Sequence, residues 1–282
     1  MTGVVGGLVA AILWGVSGVV AGRASRALGP DLALAWVYLV GLAVALPIAA
    51  ATRVPHPDAG SLGWTAVAAP TAVASLYAMY AALRRGPAVL VLPLVASQGG
   101  VAAVVAVAFG EHLQTAAAIG LVVAMLGMFA VMRPPSVSRR DAPHPTAAVA
   151  LAVLCAVISG FALYASARAG DGIGAVWLLA ILRSAGVLAV SVPVALQGRL
   201  RLPRDAFRPV LFCGLADTAA FTSYVVAADR GGVAVPAVIS SQFAAVSVLI
   251  GVVLMGERLS RLQLGGVAGI LAGVAVVTAM QG

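Results

Sequence analysis

Long apolar runs alternate along the whole chain with short loops of charged residues, proline and glycine. A helix that crosses the hydrocarbon core of a bilayer needs about 20 apolar residues. The pattern therefore predicts an all-α polytopic membrane protein with ten transmembrane helices, at residues 3–22, 31–51, 62–83, 87–109, 114–133, 146–166, 173–196, 208–228, 232–255 and 260–280. The first run lacks the charged leader and cleavage site of a signal peptide, so it is predicted to remain as a helix.

A short sequence motif occurs twice, 146 residues apart. The motif G-E-x-L at 110–113 returns at 256–259, and two glycines seven residues apart follow each copy (Gly120 and Gly127, then Gly266 and Gly273). Glycines at this spacing leave a bare stripe on one helix face, and small residues let helix backbones approach closely in lipid. The chain is therefore predicted to contain two homologous five-helix repeats, 1–133 and 146–282, joined by a proline-containing linker at 134–145.

The charged residues indicate how the helices are oriented. Only 9% of residues are charged, and all 17 basic residues are arginines, with a net charge of +8. All except Arg183 stand singly or in pairs in or beside loops, without the interleaved aromatics of a nucleic-acid-binding surface. Thirteen follow odd-numbered predicted helices and three follow even-numbered ones. Because five helices per repeat invert the second repeat, this pattern is typical of an inverted-topology repeat, and the positive-inside rule predicts both termini outside.

Trp14-Gly15 lies in the first predicted helix, and a central proline, Pro93 or Pro236, lies in each helix that ends in G-E-x-L. With the glycines that follow, these features resemble the EamA-type transporters of the drug/metabolite transporter superfamily. The resemblance covers both halves and implies ten helices in two inverted repeats, a central cavity, and export or uptake of small metabolites by alternating access. That family usually has both termini in the cytoplasm, opposite to the arginine pattern. Helix 1 also has no acid to match the membrane-embedded glutamate of the small four-helix relatives.

Two charged residues fall near the centres of their predicted helices, Arg183 in 173–196 and Asp217 in 208–228. An ionised side chain at that depth costs roughly 2.5 to 3.5 kcal/mol on insertion scales, so it usually faces a partner or a cavity. These helices are consecutive and antiparallel, so both groups are expected at the same depth. They form either a structural ion pair or a substrate-binding site, with Asp217 as the proton-coupling candidate. Their repeat mates fall near Gly41 and Val73, which predicts an asymmetric site.

Gln98 and Gln242 are repeat mates near the middle of the fourth and ninth predicted helices. A buried amide needs hydrogen-bond partners, so the pair is predicted either to bind a polar substrate or to join helices. Pro93 and Pro236 each precede one glutamine by about one and a half turns, where a proline can kink the helix and free a carbonyl.

Three aromatic residues are further substrate-binding candidates: Trp14, Tyr80 and Tyr224. Trp14 is central in helix 1, which fits a cavity wall as well as core packing. Tyr80 and Tyr224 occupy matching positions in helices 3 and 8, where ligand stacking and interface anchoring both fit. In the structural motifs Gly110-Glu111 and Gly256-Glu257, the carboxylates are predicted to cap the amides of the helix that follows.

These features predict a secondary active transporter of small organic metabolites or xenobiotics, with amino acids and related zwitterions among the candidates and export favoured over uptake. It is expected in the plasma membrane of a prokaryote, with the lipid bilayer, a small-molecule substrate and protons as partners. A facilitative carrier is the alternative, followed by a membrane scaffold or an intramembrane enzyme. We predict no enzyme activity, cofactor or metal, because the sequence shows no nucleophile–base pair, phosphate loop or metal motif.

The arginine asymmetry makes a prediction about orientation. A reporter fused near Arg139 should be cytoplasmic and one fused at Gly282 should be external, as measured with compartment-specific reporters. A cytoplasmic reporter at Gly282 would contradict the arginine count and favour the topology usual for the resembling family.

Overall fold

The computed structural model describes residues 2–53, 56–86, 88–131, 145–255 and 261–281. The described residues form thirteen α-helices: α1 (Thr2–Leu28), α2 (Pro30–Ala50), α3 (Ala59–Arg85), α4 (Ala88–Ala96), α5 (Gln98–Ala108), α6 (Thr115–Val131), α7 (Pro145–Ile173), α8 (Ala175–Gly186), α9 (Val192–Leu196), α10 (Arg204–Gly231), α11 (Ala234–Ser240), α12 (Phe243–Met255) and α13 (Arg261–Gln281). A π-helical turn, Val187–Ser191, joins α8 to α9. Gly256 and Glu257 of the second motif, and linker residues 134–144, lie outside the described residues.

These helices group into ten helical segments that follow the order of the ten predicted spans. Within the described residues, seven helical stretches are long and apolar enough to cross a membrane, at 3–28, 30–50, 59–85, 90–108, 146–173, 175–196 and 204–230. Three shorter apolar stretches lie at 115–130, 234–250 and 264–276. The all-helical membrane fold is therefore confirmed, and the crossing of the bilayer by all ten segments remains a prediction.

Several helices extend beyond the predicted spans. α1 continues from the predicted end at residue 22 to Leu28, and α7 from residue 166 to Ile173. Arginine and alanine interrupt or follow the apolar runs there, and both favour helix. Hydropathy therefore marks the thickness of the hydrocarbon core and not the end of the helix.

The fourth and ninth segments are each broken near the middle. The α4–α5 break is at Ser97, whose N–H bonds the Leu94 carbonyl at 3.3 Å, and the α11–α12 break includes Gln242, whose N–H bonds the Ile239 carbonyl at 3.1 Å. Pro93 lies inside α4, where it removes a backbone hydrogen bond. Pro236 is the third residue of α11, in the first turn, where an N–H would have no partner within the helix. The two breaks therefore lie beside the two glutamines, and kinking by the prolines remains a prediction.

The two repeats pack mainly against each other. α1 packs along α10, and the repeat-related helices α7 and α3 pack in the same way. A Cβ on Gly15 would lie 2.7 Å from Val246 Cβ, and a Cβ on Gly160 would lie 2.8 Å from the Gln98 carbonyl. These contacts are reciprocal, because each glycine lets the first helix of one repeat approach the broken helix of the other.

The glycine stripes after the two motifs meet each other. A Cβ on Gly127 of α6 would lie 2.6 Å from the Gly266 carbonyl of α13, and a Cβ on Gly273 would lie 2.7 Å from the backbone nitrogen of Ala124. The predicted close packing of these glycine-bearing helices is confirmed. Any larger side chain at these positions would separate the two backbones.

Asp58 forms the N-cap of α3 and accepts a hydrogen bond from the Ser61 N–H at 2.9 Å. Hydrogen bonds from the Ser61 hydroxyl and backbone N–H lower the pKa of Asp58. Ser61 itself lies against Gly172 of α7, so the capped end of α3 is also a contact between repeats.

Glu111 caps a helix that belongs to the other repeat. Its Oε2 accepts the Val233 N–H at 2.9 Å, and its Oε1 accepts the Ala234 N–H at 3.1 Å. A Cβ on Gly232 would lie only 2.7 Å from Oε1, and the φ of Gly232 is 77°, so glycine suits this position on both grounds. The expectation that Glu111 caps the helix that follows it is wrong. Gly110, at φ 93°, turns the chain before α6 begins, and the carboxylate reaches α11 instead.

This cap predicts a cross-repeat contribution to stability. Glu111→Ala should lower the free energy of unfolding by about 1 to 3 kcal/mol, because two backbone N–H groups lose a charged acceptor. Glu111→Gln should have a smaller effect, since one acceptor oxygen remains. Melting in detergent measures both changes, with His112→Ala, the exposed neighbour, as the matched control. An unchanged melting temperature for Glu111→Ala would contradict the capping role.

Candidate functional site

A cavity of about 120 Å³ lies where the two apolar cores of the bundle meet. One core includes the start of α1, the end of α2 and all of α11, and the other includes the end of α1, the start of α2 and much of α4. Trp14 packs against both cores. The cavity wall takes residues from α1, α2, α3, α4, α5, α7, α8, α10 and α12, so both repeats form it.

Arg183 and Asp217 meet on this wall. Arg183 Nη2 donates to Asp217 Oδ2 at 2.6 Å, and the side chains are 6% and 17% exposed. The Trp14 indole Nε1 donates to the other carboxylate oxygen, Oδ1, at 2.9 Å. The carboxylate is therefore held from both repeats, by the guanidinium of α8 and by the indole of α1.

The guanidinium also faces an aromatic ring. The Arg183 Cζ atom lies 5.8 Å from the centroid of the Tyr38 ring on α2, within the range of a cation–π contact. Among the described residues Arg183 makes one side-chain hydrogen bond, so most of its five N–H donors are not used by protein groups. The pair is neutral as a whole and still has donors for a further acceptor.

The helix that carries Arg183 changes geometry immediately after it. α8 ends at Gly186, the π-helical turn follows, and Pro193 is the second residue of α9. Pro193 has no N–H for a bond to the preceding turn, and a wider π turn accommodates this. The Ser191 hydroxyl donates to the Ala35 carbonyl at 2.8 Å, which ties the turn to α2. Such turns occur frequently at functional sites.

The predicted site residues divide into two groups. Arg183, Asp217, Trp14, Gln98 and Tyr80 line the cavity, and Gln242 and Tyr224 are not among its lining residues. The Tyr224 hydroxyl donates to the Leu163 carbonyl at 3.1 Å, and its ring lies 6.4 Å from the Trp14 ring, behind the wall. Gln242 is 4% exposed, and its Nε2 donates to the Val238 carbonyl at 3.1 Å.

Sequence reasoning did not identify several lining residues. They are Tyr38 and Met79, and four serines, Ser17, Ser75, Ser159 and Ser166. Ser17 and Ser159 occupy matching positions in the two repeats, and this symmetry was the one sequence feature that could have identified them as cavity residues. A lone tyrosine or methionine in an apolar run carries no such signal, because it is equally compatible with core packing.

Some buried polar atoms have no hydrogen-bond partner within the described part of the chain. They include Arg183 Nε, the Tyr38 hydroxyl, Thr218 Oγ1 and Ser166 Oγ. Buried polar atoms are normally hydrogen-bonded, so this concentration around the ion pair and cavity marks a polar region suited to a bound molecule. The described residues contain no group of three or more His, Cys, Asp or Glu that could hold a metal ion.

The ion pair makes a prediction about stability. Arg183→Gln and Asp217→Asn should each lower the free energy of unfolding by roughly 3 to 5 kcal/mol, because one charged or polar partner stays buried without the other. The double variant should lose less than the sum. Thermal unfolding in detergent gives the coupling, and Arg168→Gln is the matched control, since the Arg168–Asp171 pair is 51% and 45% exposed. Additive losses would mean that the two groups act independently.

The geometry agrees with what comparisons with known proteins show. No curated protein matches the chain significantly. Solved structures do match it, among them the crystal structure of a protein with a TM-score of 0.76 and 22% identity over 99% of this chain and 96% of that chain. At that identity the likeness shows the fold alone. The EamA-like transporter family matches residues 1–133 and 146–279, nearly all of both halves. The chain belongs to the EamA-like transporter family.

Proposed function

We propose that this protein is a secondary active transporter that moves small zwitterionic organic molecules, such as amino acids, by alternating access. The observation that carries the proposal is the Arg183–Asp217 pair, which lies on the wall of a cavity formed by both repeats. A charged pair in an apolar segment usually marks a substrate or ion pathway in a membrane protein.

The chemistry of the pair suits a zwitterion. The unused N–H donors of Arg183 can bind a substrate carboxylate, and the Asp217 carboxylate can accept from a substrate ammonium. Gln98 and the cavity serines add neutral hydrogen-bonding groups. A volume of about 120 Å³ is many times the roughly 10 to 15 Å³ that one water needs on the same measure, which supports a small organic substrate.

The architecture supports alternating access. Broken helices and inverted repeats are the parts from which many secondary transporters build a central site. The α4–α5 and α11–α12 breaks lie at comparable positions in the two halves, and the cavity lies between two separate apolar cores. A relative movement of the halves would loosen one core while the other stays packed.

Asp217 is the proposed proton-coupling group. The substrate ammonium pairs with the ionised carboxylate, so a bound substrate and a proton on Asp217 compete for the same oxygens. Substrate binding and proton binding are then linked through one ion pair, and a proton gradient can drive the movement of substrate.

Two measurements test the proposal. In a thermal-shift series, free L-amino acids should raise the melting temperature more than their N-acetyl or amide derivatives, because only the zwitterion engages both charges. In proteoliposomes, flux of the best amino acid should depend on pH in the parent. The double variant Arg183→Gln, Asp217→Asn should lose that dependence. Flux without pH dependence in the parent would favour a facilitative carrier, and no flux for any ligand that shifts melting would favour a scaffold.

The two glutamines provide a comparison within the same assay. Gln98→Ala should weaken amino-acid binding more than Gln242→Ala, because Gln98 lines the cavity and the Gln242 amide donates to the Val238 carbonyl of the preceding helix. Binding is measured by the ligand dependence of melting. Equal binding in the parent and both variants would assign both amides to helix packing.

A further inference from the structure

We propose that α2 of the first repeat holds the Arg183 guanidinium in place through Tyr38 and Gly41. The first repeat contributes neither charge of the ion pair, yet it determines where the charged side chain of the second repeat lies. Tyr38 and Gly41 are therefore positioning residues. The inference deepens the proposed function by identifying what controls its central side chain, and it rests on that function only for the statement that Arg183 contacts substrate.

Gly41 makes room for the arginine stem. A Cβ at position 41 would lie 2.8 Å from Arg183 Cδ, 3.0 Å from Arg183 Nε and 3.1 Å from Thr218 Oγ1. Gly41 does not have a positive φ, so the backbone gives no reason for glycine inside α2. Glycine also destabilises a helix interior relative to alanine. The close approach of Arg183 and of Thr218, the residue after Asp217, accounts for the glycine.

Tyr38 supports the face of the guanidinium. It lies three residues before Gly41, on the same side of α2, and it is 2% exposed. Its ring in turn occupies the space beside Gly186, where a Cβ would overlap the ring. Two contacts between α2 and α8 therefore each place a large side chain against a glycine: Tyr38 packs against Gly186, and Arg183 packs against Gly41.

The repeat relationship explains the contact between Gly41 and Arg183. Position 41 is close to the repeat mate of position 183 in the sequence alignment, and the two residues touch in the structure. Repeat-related residues that touch lie near the axis that relates the repeats, where only one of them can be large. The glycine of the first repeat is thus the structural counterpart of the arginine of the second. Because α2 and α8 belong to different halves, any movement of one half against the other changes the support of Arg183.

Trp14 provides a reporter for the experiment, because its indole N–H donates to Asp217. The other three tryptophans, Trp36, Trp64 and Trp177, are replaced by phenylalanine, which leaves Trp14 as the single fluorophore. The variants are then Gly41→Ala and the matched control Gly63→Ala, an exposed helical glycine with no atom within 4 Å of its added Cβ. Gly41→Ala should shift the Trp14 emission in the same direction as Arg183→Ala and lower the melting temperature. Gly63→Ala should do neither.

A double-variant cycle separates positioning from packing. In an Arg183→Ala background, Gly41→Ala should cause no further shift in Trp14 emission and little further loss in melting temperature, because the arginine stem that the added methyl group would strike is gone. An emission shift of the same size in both backgrounds would overturn the proposal and assign Gly41 to general helix packing.

Tyr38 gives a second test that holds even if Gly41→Ala fails to fold. Tyr38→Phe keeps the ring and should leave the Trp14 emission close to that of the parent, whereas Tyr38→Leu should shift it toward that of Arg183→Ala. Equal emission from Tyr38→Phe and Tyr38→Leu would overturn the role of the ring. These measurements use no substrate. A protein without transport activity could pass them, and a transporter could fail them, so the two proposals are tested separately.

Discussion

The ion pair between Arg183 and Asp217 constrains the centre of the molecule more than any other interaction in the described residues. Neither charge is tolerable alone within an apolar segment, because a single buried charge costs several kcal/mol. The pair requires α8 and α10 to lie side by side at matching depth. The second carboxylate oxygen requires the indole of α1, and the guanidinium requires the open space on α2. The ion pair of 2.6 Å and the two contacts around it therefore constrain the relative positions of four helices from both halves.

Around this polar centre the helices associate through small residues. In lipid there is little hydrophobic drive between helices, so close backbone approach and van der Waals contact supply much of the association. Several glycines of α1, α6, α7 and α13 meet backbone or side-chain atoms of the opposite repeat. The glutamate of the first motif adds a charged cap that also crosses between repeats. Neither half would reach this packing without the other.

The sequence was informative about features that are periodic or repeated. It was less informative about which side chains of different helices contact each other. Hydropathy located ten segments, and repetition identified the glycine stripes. The cost of charge in lipid identified Arg183 and Asp217. Three contacts could not be predicted from the sequence: the hydrogen bond of the Trp14 indole, the packing of the Tyr38 ring on Arg183, and the helix that Glu111 caps. Each depends on how far a helix is rotated about its axis and which neighbour it faces, and hydropathy along one helix does not encode that. Repeat symmetry also suggested equal roles for Gln98 and Gln242, yet only Gln98 lines the cavity.

The interlocked packing of the repeats has a consequence for biosynthesis. α1 packs along α10, whose first residue is separated from the end of α1 by about 175 residues. At a synthesis rate of roughly 5 to 20 residues per second, the ribosome needs roughly 10 to 35 s to make that stretch. α1 enters the bilayer long before its main partner exists, and its glycine-bearing faces meet lipid or the insertion machinery during that interval. Assembly of the central site is therefore one of the last events in the maturation of the chain, and the newly made first half has to remain in a state that can still accept the second.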